Sequence, residues 1–513
     1  LSNRTGSDPK SSSLLPADAD ALKLSDVEKG LVLERARLQL ESRVQGGMRA
    51  YLVSLELFDD DAAQVQEGLQ ELGSLVRSLG DEPMGASVQK RSRIDPGTFI
   101  GQGKAEELRR TSRELGCDYV VFDQELSPSQ IRNLEKLIER PVLDRTAVIL
   151  QIFRKNAKTR EAKTQVEIAH LEFLAPRLSN SWIAFERQRG GGGGGSGSGG
   201  GGGTRVKGAG ETQLELDRRR MRDRIASLKK ELEKIQKERE TQRKARSDEL
   251  KVALVGYTNA GKTTVMNALT DAQLSAKDAL FETLDSTVRH LKGVSKPKVL
   301  LTDTVGFIRN LPHGLVASFR STLDETAKAD LLLHVVDVSH AYYKDHMRVT
   351  DEVLKDVGAG EVPRLLVFNK LDALKGEPRM ARILARAHPG CVCVSASNEA
   401  DVRRLRDAIL DYFLRGMVEA TFEVAYDDSR LMALIHAHTR VLETTWKDDI
   451  AVFRVRMSKE TQARYFETSS LPAKPGGDAT TDVPWTTNGF TFDSEKEERA
   501  HDDRHPRGRE GES

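Results

Sequence analysis

At 513 residues the chain is longer than one hydrophobic core usually serves, and at roughly 100–200 residues per domain it predicts three or four folded units. Lys and Arg number 79 against 78 Asp and Glu, a net charge of +1, so any basic footprint for nucleic acid has to be local. No apolar run approaches the ~20 residues of a membrane span and no secretory signal opens the chain, which excludes stable membrane insertion and predicts a soluble cytoplasmic protein. Cys117, Cys391 and Cys393 lack zinc or redox spacing and read as small core residues.

Residues 1–47, rich in Ser, Asp, Lys and Ala, predict a flexible leader. From 48 to 144 the pattern alternates: strands near 50–57, 86–94, 119–122 and 142–143 are separated by helices near 64–79, 104–115 and 128–140. That order predicts a small parallel α/β subdomain.

Residues 145–247 predict a two-helix arm. No Gly or Pro interrupts 145–174, which predicts one long helix ended by Pro176. The second helix, 211–246, carries Met221, Ile225, Leu228, Leu232 and Ile235 at alternating spacings of four and three, a seam that calls for an antiparallel partner. The intervening loop, 176–210, is dominated by glycine and framed by Arg177, Arg187, Arg189, Arg205 and Lys207, with Trp182 and Phe185 nearby. Composition leaves two readings open: a passive linker, or a cationic tip for phosphate backbone and exposed bases.

Residues 248–416 carry the chemistry. Gly256, Tyr257, Thr258, Asn259, Ala260, Gly261, Lys262 and Thr263, followed by Thr264, match GxxxxGK[ST] between an apolar strand and a helix. Backbone amides of such a loop surround phosphates, Lys262 neutralises charge and Thr263 offers its hydroxyl to magnesium. Asp303, after the apolar run 299–301, is the second magnesium candidate, and Gly306 of DTVG places an amide for a γ-phosphate. Thr287 lies between these elements, in a loop expected to fold over the γ-phosphate and lend magnesium another hydroxyl.

Asn369, Lys370 and Asp372 belong to NKLD, in which the Asp372 carboxylate matches the paired N1 and N2 donors of guanine that adenine lacks. Ser395 and Ala396, after the strand CVCV, offer a backbone amide to guanine O6. These elements, in this order, predict a doubly wound P-loop domain that binds GTP, with Lys262, Thr287 and Gly306 as the catalytic candidates. Phe307 follows DTVG and has no group to orient water, so slow intrinsic hydrolysis is predicted. A trans-acting partner or potassium held near Asn259 is then expected to help.

Residues 417–466 predict a small α+β module of βαβ-like order, with strands at 421–426 and 450–457 around a helix at 429–442; 467–513 predict a disordered tail. His334 reads as a core residue of an apolar strand, and the pair His436 and His438 has no evident metal-ligand partner.

GTFIGQGKAEEL, VVFDQELSPSQIRNLEK, VLDRTAVILQIF, AKTREAKTQVEIAHLEFLAPRL, GAGETQLELDRRR, GYTNAGKTT, LFETLDSTVR and DTVGFIRNLPHGLVASFRSTLDE together resemble the HflX family of ribosome-associated GTPases, over about 48–457. The resemblance implies an α/β subdomain and two-helix arm that bind the large ribosomal subunit and its rRNA, with the interhelical loop directed at the peptidyl-transferase region. It further implies ribosome splitting or rescue under stress and a GTPase stimulated by ribosomes; a monomer is expected. The family's nucleotide positions fall on Asn259, Lys262, Thr263, Thr287, Asp303, Gly306, Asn369 and Asp372, and a hydrophobic residue after DTVG is a family trait. Two departures are the expanded glycine tract and LDST where the family usually has LDPT. The alternative is a GTP-dependent switch acting through a protein effector, with the arm as a docking coiled coil.

Overall fold

The computed structural model describes residues 47–190, 209–244, 249–270, 280–293, 298–310, 325–374, 378–447 and 449–466. The expected leader and tail, Arg205 and Lys207 lie outside them, as do the side chains of Arg187 and Arg189. The chain divides into two compact units: residues 1–246 with 276–285 and 310–321, and residues 247–275 with 286–309 and 322–513.

The first unit is built on a parallel sheet of four strands, β1 (Arg49–Leu57), β2 (Glu82–Arg91), β3 (Tyr119–Phe122) and β4 (Val142–Asp144), in the order β2-β1-β3-β4. Helices α1 (Ala62–Leu79), α2 (Gln102–Glu114) and α3 (Pro128–Ile138) make the crossovers. Their ends follow local chemistry. Asp61 accepts from the Ala63 amide at the start of α1, and Gly80 closes it at φ 92. Ser127 and Gln130 form a reciprocal capping box on α3, with Pro128 in the first turn. Val53, Leu55, Leu108, Phe122 and Leu134 form the core between sheet and helices.

Glu135 on α3 is half-buried and accepts from the Val142 amide at 3.3 Å. Burial pushes its carboxyl up to about 7, with the amide opposing. The folded state therefore binds more protons than the unfolded one between the ordinary value of 4.5 and about 7, and stability should fall as pH rises through that window. Glu135→Gln keeps the acceptor and removes the charge. It is expected to flatten the dependence and to stabilise the protein at pH ~8 by roughly 1–3 kcal/mol, read from denaturant titrations across pH.

The single long helix expected from residue 145 is two. Helix α4 (Arg145–Asn156) is capped by Asp144, and Ala157 then turns extended at ψ 114. Thr159 restarts the chain as α5 (Arg160–Gly190), its hydroxyl accepting from the Ala162 amide. Helix α5 also runs through Pro176 instead of stopping there. In that turn Arg177 donates to the Phe173 carbonyl at 2.9 Å, lies over the Phe173 ring at 3.4 Å, and pairs with buried Asp144 at 2.8 Å. These tertiary bonds hold the turn that proline weakens.

Helix α6 (Ala209–Lys244) is the expected antiparallel partner of α5. Met221 and Leu228 bury against Ile168, Leu171 and Leu174, with Ile225 and Leu232 half-buried beside them. Glu167 with Arg224 and Glu161 with Arg239 pair across the seam.

Residues 280–285 also belong to the first unit. The Phe281 ring meets Phe153 edge-on at 4.8 Å, and its carbonyl accepts from Asn156 at 2.8 Å. Asp285 accepts from the amides of Lys158 and Thr159 at 3.0 and 3.2 Å and from the Thr159 hydroxyl. A carboxylate at the N-terminus of α5 meets both exposed amides and the positive end of the helix dipole. Asp285→Ala should make hydrogen exchange of the 280–285 amides about tenfold faster, the equivalent of one lost cap. Unchanged exchange would mean that the Phe281 contacts suffice.

The second unit holds two sheets. Strands β5 (Leu250–Val255), β6 (Thr287–His290), β7 (Val299–Asp303), β8 (Leu331–Asp337), β9 (Arg364–Asn369) and β10 (Val392–Cys393) lie in the order β10-β9-β8-β5-β7-β6. All pairs are parallel except β6 with β7. Helices α7 (Lys262–Leu269), α8 (Tyr343–Asp356), α9 (Pro378–Ala387) and α10 (Glu399–Arg415) cover it. This is the expected doubly wound domain. His334 is buried in β8, where desolvation drives its pKa down to about 3 and keeps it neutral.

The C-terminal module departs from the expected βαβ-like order. Helix α11 (Ser429–His438) is shorter than expected, and Arg440–Trp446 form a strand, β12, between β11 (Val418–Ala425) and β13 (Ile450–Met457) in sequence. The sheet is antiparallel, in the order β11-β13-β12, followed by α12 (Lys459–Tyr465). Thr439, Val441, Thr444 and Thr445 explain the change, since β-branched residues favour a paired strand over two more helical turns. Among the described residues no helix is long and apolar enough to cross a membrane.

Candidate nucleotide site

Strand β5 delivers the cradle and α7 leads away from it. Gly256, at φ 145, could not carry a side chain: a Cβ would lie 2.2 Å from the Val335 carbonyl oxygen. Gly261, at φ 90, is equally confined, with Asn369 Nδ2 2.3 Å from the Cβ position. Asn259 is exposed and left-handed at φ 58, a conformation that asparagine tolerates. The N-cap of α7 is Gly261, which has no side chain to cap the first turn, so the helix begins directly at the glycine loop. Ala260 is buried and Thr264 exposed.

Lys262 is buried, and its Nζ donates to the carbonyls of Gly256 at 3.1 Å and Tyr257 at 2.8 Å. Desolvation pulls its pKa down to about 8, against the attraction of Asp303. A buried cation so incompletely compensated suits an anionic group held by the same loop.

Thr263 donates its hydroxyl to Asp303 at 2.7 Å. Thr287, read from the sequence as a loop residue, opens β6 and pairs in register with Asp303. Two hydroxyls and a carboxylate at one end of the sheet are hard oxygen donors, the set that fits magnesium.

Gly306 packs directly on the cradle: a Cβ there would lie 2.9 Å from Thr258 Cα and 3.0 Å from Lys262 Nζ. The Phe307 side chain is buried, but its backbone continues the contact. Its N–H donates to Gly256 at 3.1 Å, and its carbonyl accepts from Thr258 at 2.7 Å.

Asn369, buried at the end of β9, joins two loops: its amide nitrogen donates to the Ala260 carbonyl at 3.0 Å and its oxygen accepts from the Ala396 amide at 3.2 Å. Lys370, left-handed at φ 62, pairs with Asp337 at 2.7 Å. Asp372 stands exposed in the single 3-10 turn that follows and accepts from the Ser395 hydroxyl at 2.7 Å. The structure thus assembles cradle, DTVG, NKLD and SAS into one bonded set. Arg187 and Arg189 fall on the backbone of α5 in the other unit.

One feature escaped the sequence. The Tyr257 ring stacks on His346, and the His340 ring lies tilted against His346. No motif spacing links residues 257 and 346, so only the fold reveals the pair.

A doubly wound sheet with this glycine cradle and the DTVG and NKLD loops beside it defines a P-loop GTPase. Family models match residues 66–154 (GTP-binding GTPase N-terminal), 156–246 (GTP-binding GTPase Middle Region) and 251–370 (50S ribosome-binding GTPase). GTPase HflX of Gluconacetobacter diazotrophicus is 41% identical over 443 residues, 79% of this chain and 94% of that protein. GTPase HflX of Escherichia coli is 40% identical over 420 residues, 81% and 95% of the two chains. The chain belongs to the HflX family of GTPases and is a GTP hydrolase. A solved GTP-binding protein of the archaeon Sulfolobus solfataricus, in complex with GDP, is a weaker likeness: 22% identity, 71% of this chain and 98% of that one, TM-score 0.38.

Proposed function

We propose that this GTPase acts on the large ribosomal subunit, splitting or rescuing ribosomes under stress on a cycle timed by GTP. The observation that supports it is the match of the nucleotide domain to a family described as 50S ribosome-binding, in a chain that also carries a hairpin of 31- and 36-residue helices. At about 1.5 Å per residue such a hairpin spans roughly 45 Å or more, long enough to reach into an RNA cleft. Arg187, Arg189, Arg205 and Lys207 frame its tip in sequence and are suited to RNA phosphates.

In this reading the amides from Tyr257 to Thr264 cradle the phosphates and Lys262 neutralises charge as the γ-phosphoryl group leaves. Gly306 donates its amide to that group. Thr263, Thr287 and Asp303 hold magnesium, which when bound would neutralise charge on the β- and γ-phosphates. Asn369, Lys370, Asp372, Ser395 and Ala396 hold the guanine, and Asn259 is the protein's candidate ligand for potassium.

The test is GTP hydrolysis in potassium and in sodium, with and without purified large subunits. Stimulation of about tenfold or more by subunits is expected, as a supplied group does for related GTPases. No stimulation, and no pelleting of GTP-bound protein with subunits at moderate salt, would favour a protein effector instead.

A further inference from the structure

Behind the cradle stands a stack of rings that no motif accounts for. Tyr257, 6% exposed, lies parallel to His346 with 3.8 Å between ring centroids and 5° between planes. His346 projects from the first turn of α8, and His340, in the connection after β8, sits 4.5 Å from it. The Tyr342 N–H donates to His340 Nδ1 at 3.3 Å, which fixes that ring's tautomer. Burial, the neighbouring His340 and Arg309 drive the His346 pKa down to about 3. His346 is therefore a neutral ring, able to stack face to face on Tyr257 without carrying a charge into the contact.

The stack controls more than one side chain. The Tyr257 hydroxyl accepts from the Arg309 amide at 2.9 Å. Together with the two Phe307 backbone bonds to Gly256 and Thr258, this makes three links between residues 256–258 and 307–309. Gly306 immediately precedes that segment and packs on Thr258 and Lys262 with no room for a methyl group. Its amide keeps its place only while 307–309 stay aligned on the cradle. Because the Phe307 side chain is buried, no side chain at that position can take over the alignment of reacting groups.

We infer that His346 is a positioning residue for GTP hydrolysis: by holding the Tyr257 ring it keeps residues 307–309, and with them the Gly306 amide, aligned on the cradle. The inference rests on the reading of Gly306 as the donor to the γ-phosphoryl group. The stack is made by Tyr257, His346 and His340, whereas the Asp372–Ser395 bond joins different loops. Loss of His346 should therefore slow the chemical step without weakening nucleotide binding, which the base and the inner phosphates dominate.

The experiment compares the full-length wild type with His346→Ala and His346→Phe. It measures kcat and KM for GTP together with calorimetric GDP affinity. His346→Ala should lower kcat about tenfold, the scale of a sub-ångström misplacement, with KM and GDP affinity within about twofold of wild type. His346→Phe restores a flat ring and should recover most of kcat. An unchanged kcat in His346→Ala overturns the inference. Equal losses in Ala and Phe overturn it too, since they would point to the imidazole itself rather than to stacking. A parallel loss of GDP affinity in His346→Ala likewise overturns it, as general damage to the cradle. Wild type that fails to bind GDP would instead sink the reading of the nucleotide site.

Discussion

Lys262→Ala is expected to lower affinity for GTP and GDP by on the order of 10²- to 10³-fold, the cost of removing one member of a desolvated charge pair. The basis is that, among the described residues, its buried ammonium has only two carbonyls at hydrogen-bonding distance, and its pKa is pulled down to about 8. Bound phosphates supply the missing countercharge and should return it toward its ordinary value of 10.5. The sign follows from linkage. Above about 8 the free protein has lost this proton while the complex retains it, so binding takes up a proton and affinity falls by up to tenfold per pH unit. Calorimetry at pH ~9 in two buffers of different ionisation heat reads that uptake directly. Wild type should show it and Lys262→Ala should not. No uptake in wild type would mean that the folded protein already keeps Lys262 ionised.

Asp372→Asn should lower GTP affinity by at least about 10²-fold and raise affinity for xanthosine triphosphate, because one carboxylate oxygen becomes a donor. In the proposed reading guanine presents two donors to Asp372, whereas xanthine would present one donor and a carbonyl, the complement of an amide. The variant is a fair test of recognition rather than of folding. Asparagine keeps the oxygen that accepts from Ser395 at 2.7 Å, so the bond joining the two base loops survives. Competition between the two triphosphates for the full-length protein gives the answer. Unchanged GTP affinity, or equal affinity of wild type for GTP and ATP, would remove Asp372 from the base pocket.

Much of the nucleotide domain was legible because its chemistry is written in consecutive residues. The glycines at 256 and 261 are required by positive φ and by close approach, constraints that act within a few residues. NKLD and SAS each follow a strand, an order that is read directly from consecutive residues. Less was legible in the arm. Residues 145–174 carry no helix breaker, yet Asp144 and Thr159 each cap a helix of their own and Ala157 separates them. Pro176 is a stop signal that Arg177 overrides with bonds to Phe173 and Asp144, the latter 33 residues away.

By itself the sequence determined the class of fold, the order of the nucleotide elements and the heptad seam of the arm, since strand–loop–helix periodicity and short motifs are local properties of the chain. The tertiary structure decided which loops meet. Strand order puts β8 and β7 on either side of β5, so the loop after β8 and DTVG after β7 both reach the cradle that follows β5. That adjacency sets His346 on Tyr257 and Arg309 on its hydroxyl. It likewise took the folded first unit to show that Asp285, only two residues before Thr287, caps the N-terminus of the arm helix. Contacts of this kind depend on which strands lie side by side, and no spacing within a linear sequence encodes that.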